Sequence, residues 1–180
     1  LLGTVGLRWG EAAALRVRDV DVTRNRISIE RNAVTVGTEV VIGTPKTHEV
    51  REVAVPASVM RMLIPVMEGK SPDELLWPRR DGSPMKPPTH GKWYYNALDR
   101  CMDKYPDFPR VTPHGLRHVA AGLMVSAGAN VKVIQRELGH SSAAMTLDIY
   151  AELFDEDLEA VGSAVDEKIS DVVRLSSRRA

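Results

Sequence analysis

Between Thr112 and Tyr150 the chain carries helix punctuation dense enough to leave few alternatives for its local structure. Thr112 precedes Pro113. A threonine oxygen can accept from a first-turn N–H, and proline loses nothing at that position because the N–H has no helical partner there. Helical spacing then runs to Ala127 and stops at Gly128. Asn130 opens "VKVIQREL", which stops at Gly139, and Ser141 or Ser142 opens "AAMTLDIY". Glycine after a helix takes the left-handed conformation that closes the last turn without a steric penalty.

Upstream the period changes. Ala12 and Leu15 at helical spacing predict a short helix over Trp9–Val17, followed by a turn through "RDVDVTRN". "RISIERNAVTV", "TEVVIG" and "REVAVP" are rich in β-branched residues with alternation, which predicts a small antiparallel sheet over residues 26–55. Pro56, Ala57 and Ser58 open an apolar helix that Pro65 limits or kinks. "LLWP" predicts a short buried strand or extended piece, and "RRDGSPMKPP" a loop. Thr89 is placed to cap a helix through "HGKWYYNALDRCMDK", with Trp93, Tyr94, Ala97 and Leu98 on its amphipathic face. An acidic helix from about Asp155 to Asp171 follows. The predicted fold class is mostly α with a small antiparallel β-sheet, an α+β domain.

The 180 residues are 43% apolar and 27% charged, enough for one real core and a solvated surface. No apolar run reaches the roughly 18–20 residues of a membrane span. The single cysteine, Cys101, excludes a disulfide framework and a multi-cysteine metal site, so a reducing, cytoplasmic setting is the expectation. The zero net charge hides a division. Residues 1–150 hold 20 Lys and Arg against 16 Asp and Glu, a formal +4, while residues 151–180 hold 4 against 8, a formal −4. A basic main body is therefore compatible with neutrality, although binding of nucleic acid by charge alone is not favoured. The opening "LLGTVGLRWGEAAAL" is apolar and uncapped, the pattern of a domain whose upstream part is absent.

His114 and Arg117 stand three apart at the start of a helix, where free N–H groups and the positive helix end attract anions. Alone, His-x-x-Arg is a common surface pattern. Other segments add candidates: Arg8 and Glu11 in "GLRWGE", Lys46 in "TPKTHEV", and His140 and Tyr150 in "LGHSSAAMTLDIY".

Together these segments resemble the motifs of tyrosine recombinases of the phage-integrase type, in order, spacing and flanking residues. "GLRWGE" resembles the first arginine box, "PKTHEVREVAV" the lysine-bearing hairpin, "HGLRH" the His-x-x-Arg helix, and "LGHSSAAMTLDIY" the box ending in the nucleophilic tyrosine. The resemblance implies a catalytic domain over residues 1–155, truncated on its N-terminal side, with residues 156–180 forming an acidic helix and tail. It implies transesterification of a DNA strand without metal or cofactor, through a 3′-phosphotyrosyl link. Tyr150 would be the nucleophile, Arg8 and Arg117 the phosphate clamps, and His140 a hydrogen-bond donor to the same phosphate. His114 would assist proton transfer, Lys46 would protonate the leaving 5′-oxygen, and Glu11 would orient the cluster. The implied partners are double-stranded DNA attachment sites, other protomers in a DNA-bound tetramer, and accessory DNA-bending proteins. Two alternatives stand beside this reading: strand relaxation by the same tyrosine chemistry, and a DNA-binding regulator with the fold but no chemistry.

His48, His90 and His118 read as structural or surface histidines, and Trp9, Trp77 and Trp93 as core or partly buried residues. Arg16, Arg18, Arg24 and Arg26 read as backbone contacts to DNA or as a solvated face. Asp19 and Asp21 read as turn residues. Val161, Val165 and Ile169 form a stripe that could dock within the chain or on a neighbouring protomer. The short helix bearing Tyr150 is expected to be mobile.

Overall fold

The structure is a computed structural model that describes residues 1–44, 50–150, 162–163, 165–167 and 169–170. The expected class is what is found: among the described residues, seven α-helices and a short 3-10 turn up to Tyr150, further helical residues in the tail, and two small antiparallel sheets. None of these helices is long and apolar enough to cross a membrane.

The N-terminal half builds one core. Helices α1 (Leu2–Val5) and α2 (Trp9–Ala13) precede strands β1 (Val20–Asp21), β2 (Arg26–Ile29), β3 (Asn32–Val36), β4 (Glu39–Gly43) and β5 (Arg51–Ala54). Alternation places Ile27, Ile29 and Val53 fully inside, against Val5, Leu7, Leu15, Leu76, and Met60 and Leu63 of α3 (Ala57–Met67). Pro65 lies within α3, which continues through it to Met67.

The single expected sheet is in fact two. Strand β2 pairs with β1 and β5, while β3 and β4 form a separate hairpin. The break falls at Glu30 and Arg31, where the Arg31 guanidinium turns onto the buried carboxylate of Asp19. Asp19 is thus more than a turn residue, since it also accepts from the Arg16 N–H at 2.8 Å. Asp21 is a turn residue, accepting from the Arg24 N–H at 2.9 Å.

The first predicted helix ends early, at Ala13, because Leu15 to Val17 turn to bond the extended segment Glu74–Leu76. "LLWP" is that extended piece, with Leu75 and Leu76 buried. Thr89 does not cap with its side chain. Helix α4 starts three residues later than predicted, at Trp93, and runs to Lys104 with Leu98 inward. Trp93 itself is 57% exposed, which corrects the expectation of burial.

The last third follows its punctuation closely. Thr112 Oγ1 accepts from the Gly115 N–H at 2.9 Å to open α5 (Pro113–Ser126), and Asn130 Oδ1 accepts from the Val133 N–H at 3.0 Å to open α6 (Val131–Leu138). Gly139 ends α6 at φ 64°. Ser142 caps α7 (Ala143–Tyr150) by accepting from the Met145 N–H at 3.2 Å. Ala121, Val125, Ile134, Leu138 and Tyr150 form a second core. Helix α1 packs on α5, and α6 lies against both β5 and α7, so the end of α6 sits where the two halves meet. In the tail, the described residues of 162–170 are helical, with Val165 and Ile169 exposed. Val161 lies outside the described residues, as does most of the acidic segment.

Candidate active site

Three consecutive carbonyls at the end of α6 each meet a different arginine. Glu137 O accepts from Arg51 Nε at 3.3 Å, Leu138 O from Arg117 Nη2 at 2.6 Å, and Gly139 O from Arg8 Nη2 at 3.0 Å. The last carbonyls of a helix lack intrahelical partners and carry the negative end of its dipole, so they draw cations. Arg117 is anchored further by Nη1 donating to Gly6 O at 2.6 Å, and it is only 4% exposed. Burial chiefly, then the nearby charge of Arg8, lowers its guanidinium to about 10, which leaves it cationic at neutral pH. Gly6 and Gly139 both adopt positive φ, and a Cβ on Gly139 would fall 2.8 Å from Arg51 Cζ.

Glu11 holds this cluster from the other side. Both of its oxygens accept from Arg51, Oε2 at 2.8 Å and Oε1 at 3.0 Å, and Oε1 accepts from Arg8 Nη1 at 2.9 Å. The Arg8 backbone N–H also donates to Oε2 at 2.9 Å, which ties the carboxylate to the start of its own helix. Burial alone would raise this carboxyl. Hydrogen bonds and charge from Arg51 and Arg8 outweigh it and hold Glu11 below the usual range.

His140 follows Gly139 directly. Its backbone N–H donates to Gln135 O at 3.0 Å, its own carbonyl accepts from Gln135 Nε2 at 3.1 Å, and its Nδ1 meets Thr146 Oγ1 at 2.9 Å. Burial, then the charges of Arg117, Arg8 and Arg51, lower its pKa to about 4. The ring is therefore neutral at pH 7, with one N–H to offer.

Tyr150 ends α7 at 5% exposure, and its hydroxyl meets His118 Nδ1 at 3.0 Å. Burial raises the phenol pKa, and Arg117 opposes that rise. The His114 and His118 rings stand edge to face, centroids 5.2 Å apart. Burial, then the neighbouring His118, Arg117 and Arg8, lowers the His114 pKa.

Arg8, Glu11, Arg117, His140 and Tyr150, read from separate stretches of sequence, are gathered around the end of α6. His114 joins through the His118 ring rather than through Arg117, because one is exposed and the other buried. Lys46 and His48 lie in residues 45–49, outside the described residues. Three contributors escape sequence reading. Arg51 and Thr146 carry no motif of their own, and His118 reads as a structural or surface histidine because it points about 100° from Arg117. The available signal for His118 was its spacing from His114: four residues apart, the two share a face. The four arginines of the open face are surface ion-pair members in part, Arg16 and Arg18 with Asp73 and Arg24 with Glu52.

The Phage integrase family matches residues 1–157. The chain belongs to that family of tyrosine recombinases. This integrase-family chain is 35% identical over 115 residues to transposase B from transposon Tn554 of Staphylococcus aureus, covering 60% of this chain and 18% of that protein. It is 28% identical over 184 residues to the integrase of Mycobacterium phage L5, covering 98% and 47%. The chain thus spans less than half the length of these curated relatives. Among solved structures, the Tn1549 transposon integrase in complex with transposon right-end DNA superposes with a TM-score of 0.75 at 24% identity, covering 89% of this chain and 56% of that one. At that identity the likeness establishes the fold. The match extends past Tyr150, so Arg8, Glu11, Arg117, His140 and Tyr150 all lie within it.

Proposed function

We propose that this chain is the catalytic domain of a site-specific DNA recombinase that breaks and rejoins strands through a 3′-phosphotyrosyl intermediate. The observation that carries the reading is the convergence of Arg8, Arg117, His140 and Tyr150 on the end of α6. The order of events follows from the chemistry of these groups. Tyr150 attacks the scissile phosphorus, the P–O5′ bond breaks, and the 3′-phosphate stays on the tyrosine. Arg8, whose side chain is 40% exposed, meets the incoming phosphate first, and Arg117 beneath it offsets the charge of the pentacoordinate state. Neutral His140 donates its one N–H to the same phosphate. His114 assists proton transfer around the nucleophile, and Lys46 protonates the leaving 5′-oxygen. Glu11 orients the arginines. Because the protein–DNA ester retains the phosphodiester energy, rejoining needs no nucleotide cofactor.

The substrate in this reading is a double-stranded attachment site, bound by protomers assembled as a tetramer with accessory DNA-bending proteins, in the cytoplasm of a bacterial or phage-infected cell. The DNA bound in the Tn1549 integrase structure supports DNA as the partner class. The test is covalent trapping. The full-length protein carrying this domain is incubated with a nicked duplex bearing a binding site selected from a randomised pool. A denaturation-resistant adduct that disappears in Tyr150→Phe is the expected result. Tight binding without any adduct would replace this reading with that of a DNA-binding regulator.

A further inference from the structure

We propose that His118 is the immediate acceptor of the Tyr150 phenolic proton, a role that rests on the phosphotyrosyl reading above. His118 Nδ1 stands 3.0 Å from the Tyr150 oxygen, within hydrogen-bond reach of the atom that must become the nucleophile. No other side chain makes a hydrogen bond to that oxygen among the described residues. His114 faces the His118 ring edge-on rather than the phenol, so it supports the acceptor and does not replace it.

The arrangement follows from helix geometry. His114 and His118 lie one turn apart on α5, and α7 brings Tyr150 across that same face. The tyrosine ring packs with Val125, Ile134 and Leu138, so the phenol reaches outward from an apolar base to an exposed imidazole. Solvent access on the far side of His118 gives the proton somewhere to go after transfer.

The step balances. As the Tyr150 oxygen forms its bond to phosphorus, its proton passes to His118 Nδ1 and creates an imidazolium. The P–O5′ bond breaks, and the leaving oxygen takes its proton from a separate donor on the DNA side. That separate donor is Lys46 in the reading above, and rejoining reverses both transfers, returning one proton to Tyr150 and the other to Lys46. The charged and titratable groups that act on this pair are His114 and Arg117 on α5 and His140 after α6, and Arg8, Arg51 and Glu11 act in turn on Arg117. Burial opposes ionisation of the Tyr150 phenol, and the Arg117 charge works against that burial to favour the phenolate.

The experiment uses the full-length protein and the same nicked duplex, comparing wild type with His118→Phe and His118→Asn at pH 7 and pH 9.5. The asparagine keeps an acceptor oxygen near the Nδ1 position but cannot take up a proton. Filter binding monitors DNA affinity in parallel. The expected result is adduct formation slowed ~100-fold in both variants at pH 7 with affinity retained, and most of the loss recovered at pH 9.5, where hydroxide can take the phenol proton. Three results would overturn the inference: rates within about threefold of wild type, an equal loss at both pH values, or full rescue by asparagine, which would make His118 a positioning residue only. Absence of adduct in wild type would instead overturn the phosphotyrosyl reading, and this inference with it.

Discussion

Glu11 and Arg51, 40 residues apart in sequence, meet through two hydrogen bonds of 3.0 and 2.8 Å, with Glu11 buried and Arg51 partly so. The pair links the start of α2 to β5, and Arg51 extends the link to the end of α6. Losing one partner of a buried ion pair typically costs about 3–5 kcal/mol, and the bonds that Glu11 keeps to Arg8 put this case at the low end. Arg51→Ala should therefore destabilise the domain by about 3 kcal/mol, and Glu11→Gln by less. The double variant should be more stable than the sum of the two losses predicts, by over ~1 kcal/mol, in a urea-unfolding cycle. Strict additivity would mean that the two side chains act independently.

Stability should fall with pH well before the carboxylates titrate. The pKa of His140 drops from its ordinary 6.5 to about 4 in the folded state, so the unfolded chain binds more protons between those values. Its contribution is fully present above about pH 6.5 and is lost as pH falls towards about 4. His114, also lowered, adds to the same slope, while Glu137, raised mainly by burial, opposes it near the acidic edge. The expected loss from pH 7 to pH 5 is on the order of 1–2 kcal/mol, about 2–8 °C in Tm. His140→Asn should flatten much of that slope in thermal melts across the range.

The helices after Thr112 were legible because caps and glycines act locally: Thr112, Asn130 and Gly139 each do in the structure what their chemistry allows in isolation. The sheet was less legible. Arg31 sits in a run of β-forming residues, and only its long-range bond to Asp19 shows why the strand breaks there. Of the residues carried by a motif, Arg8, Glu11, Arg117, His140 and Tyr150 come together and Lys46 lies outside the described residues, while Arg51, Thr146 and His118 had no motif to mark them. Their partners lie at Glu11, His140 and Tyr150, and such pairings depend on how α6 docks between the two cores rather than on spacing along the chain. His118 shows the limit well: its spacing from His114 puts the two on one face, but spacing could not show that α7 would arrive on that face.

Gly139 is constrained twice. Its φ of 64° disfavours any residue with a Cβ, and that Cβ would press on the Arg51 guanidinium at 2.8 Å. Gly139→Ala should cost at least ~1 kcal/mol from the backbone alone. The displaced Arg51 would release Glu11, and Arg8 would lose a well-placed carbonyl at Gly139. Covalent trapping in this variant should therefore fall by at least ~10-fold, whereas Gly128→Ala, at a glycine with the same sign of φ but open space around it, should lose stability without that fall.

The helix that carries Tyr150 should open more readily than the helices beside it. Only Thr146 and Tyr150 of α7 are buried, while Met145, Leu147 and Ile149 stand 41–47% exposed. Two side-chain bonds tether it, Thr146 to His140 and Tyr150 to His118. Helix α5, by contrast, buries Arg117, Ala120, Ala121 and Val125 and packs on both α1 and α6. Hydrogen exchange in the absence of DNA should show α7 amides exchanging well ahead of those in the middle of α5. Tyr150→Phe deletes one tether, worth about 1 kcal/mol for a half-buried hydrogen bond, so exchange across α7 should quicken about fivefold while α5 is unchanged. Equal protection of α7 and α5 in wild type would mean that Tyr150 is locked in place before DNA arrives, and that its docking is no part of the control of cleavage in the proposed reaction.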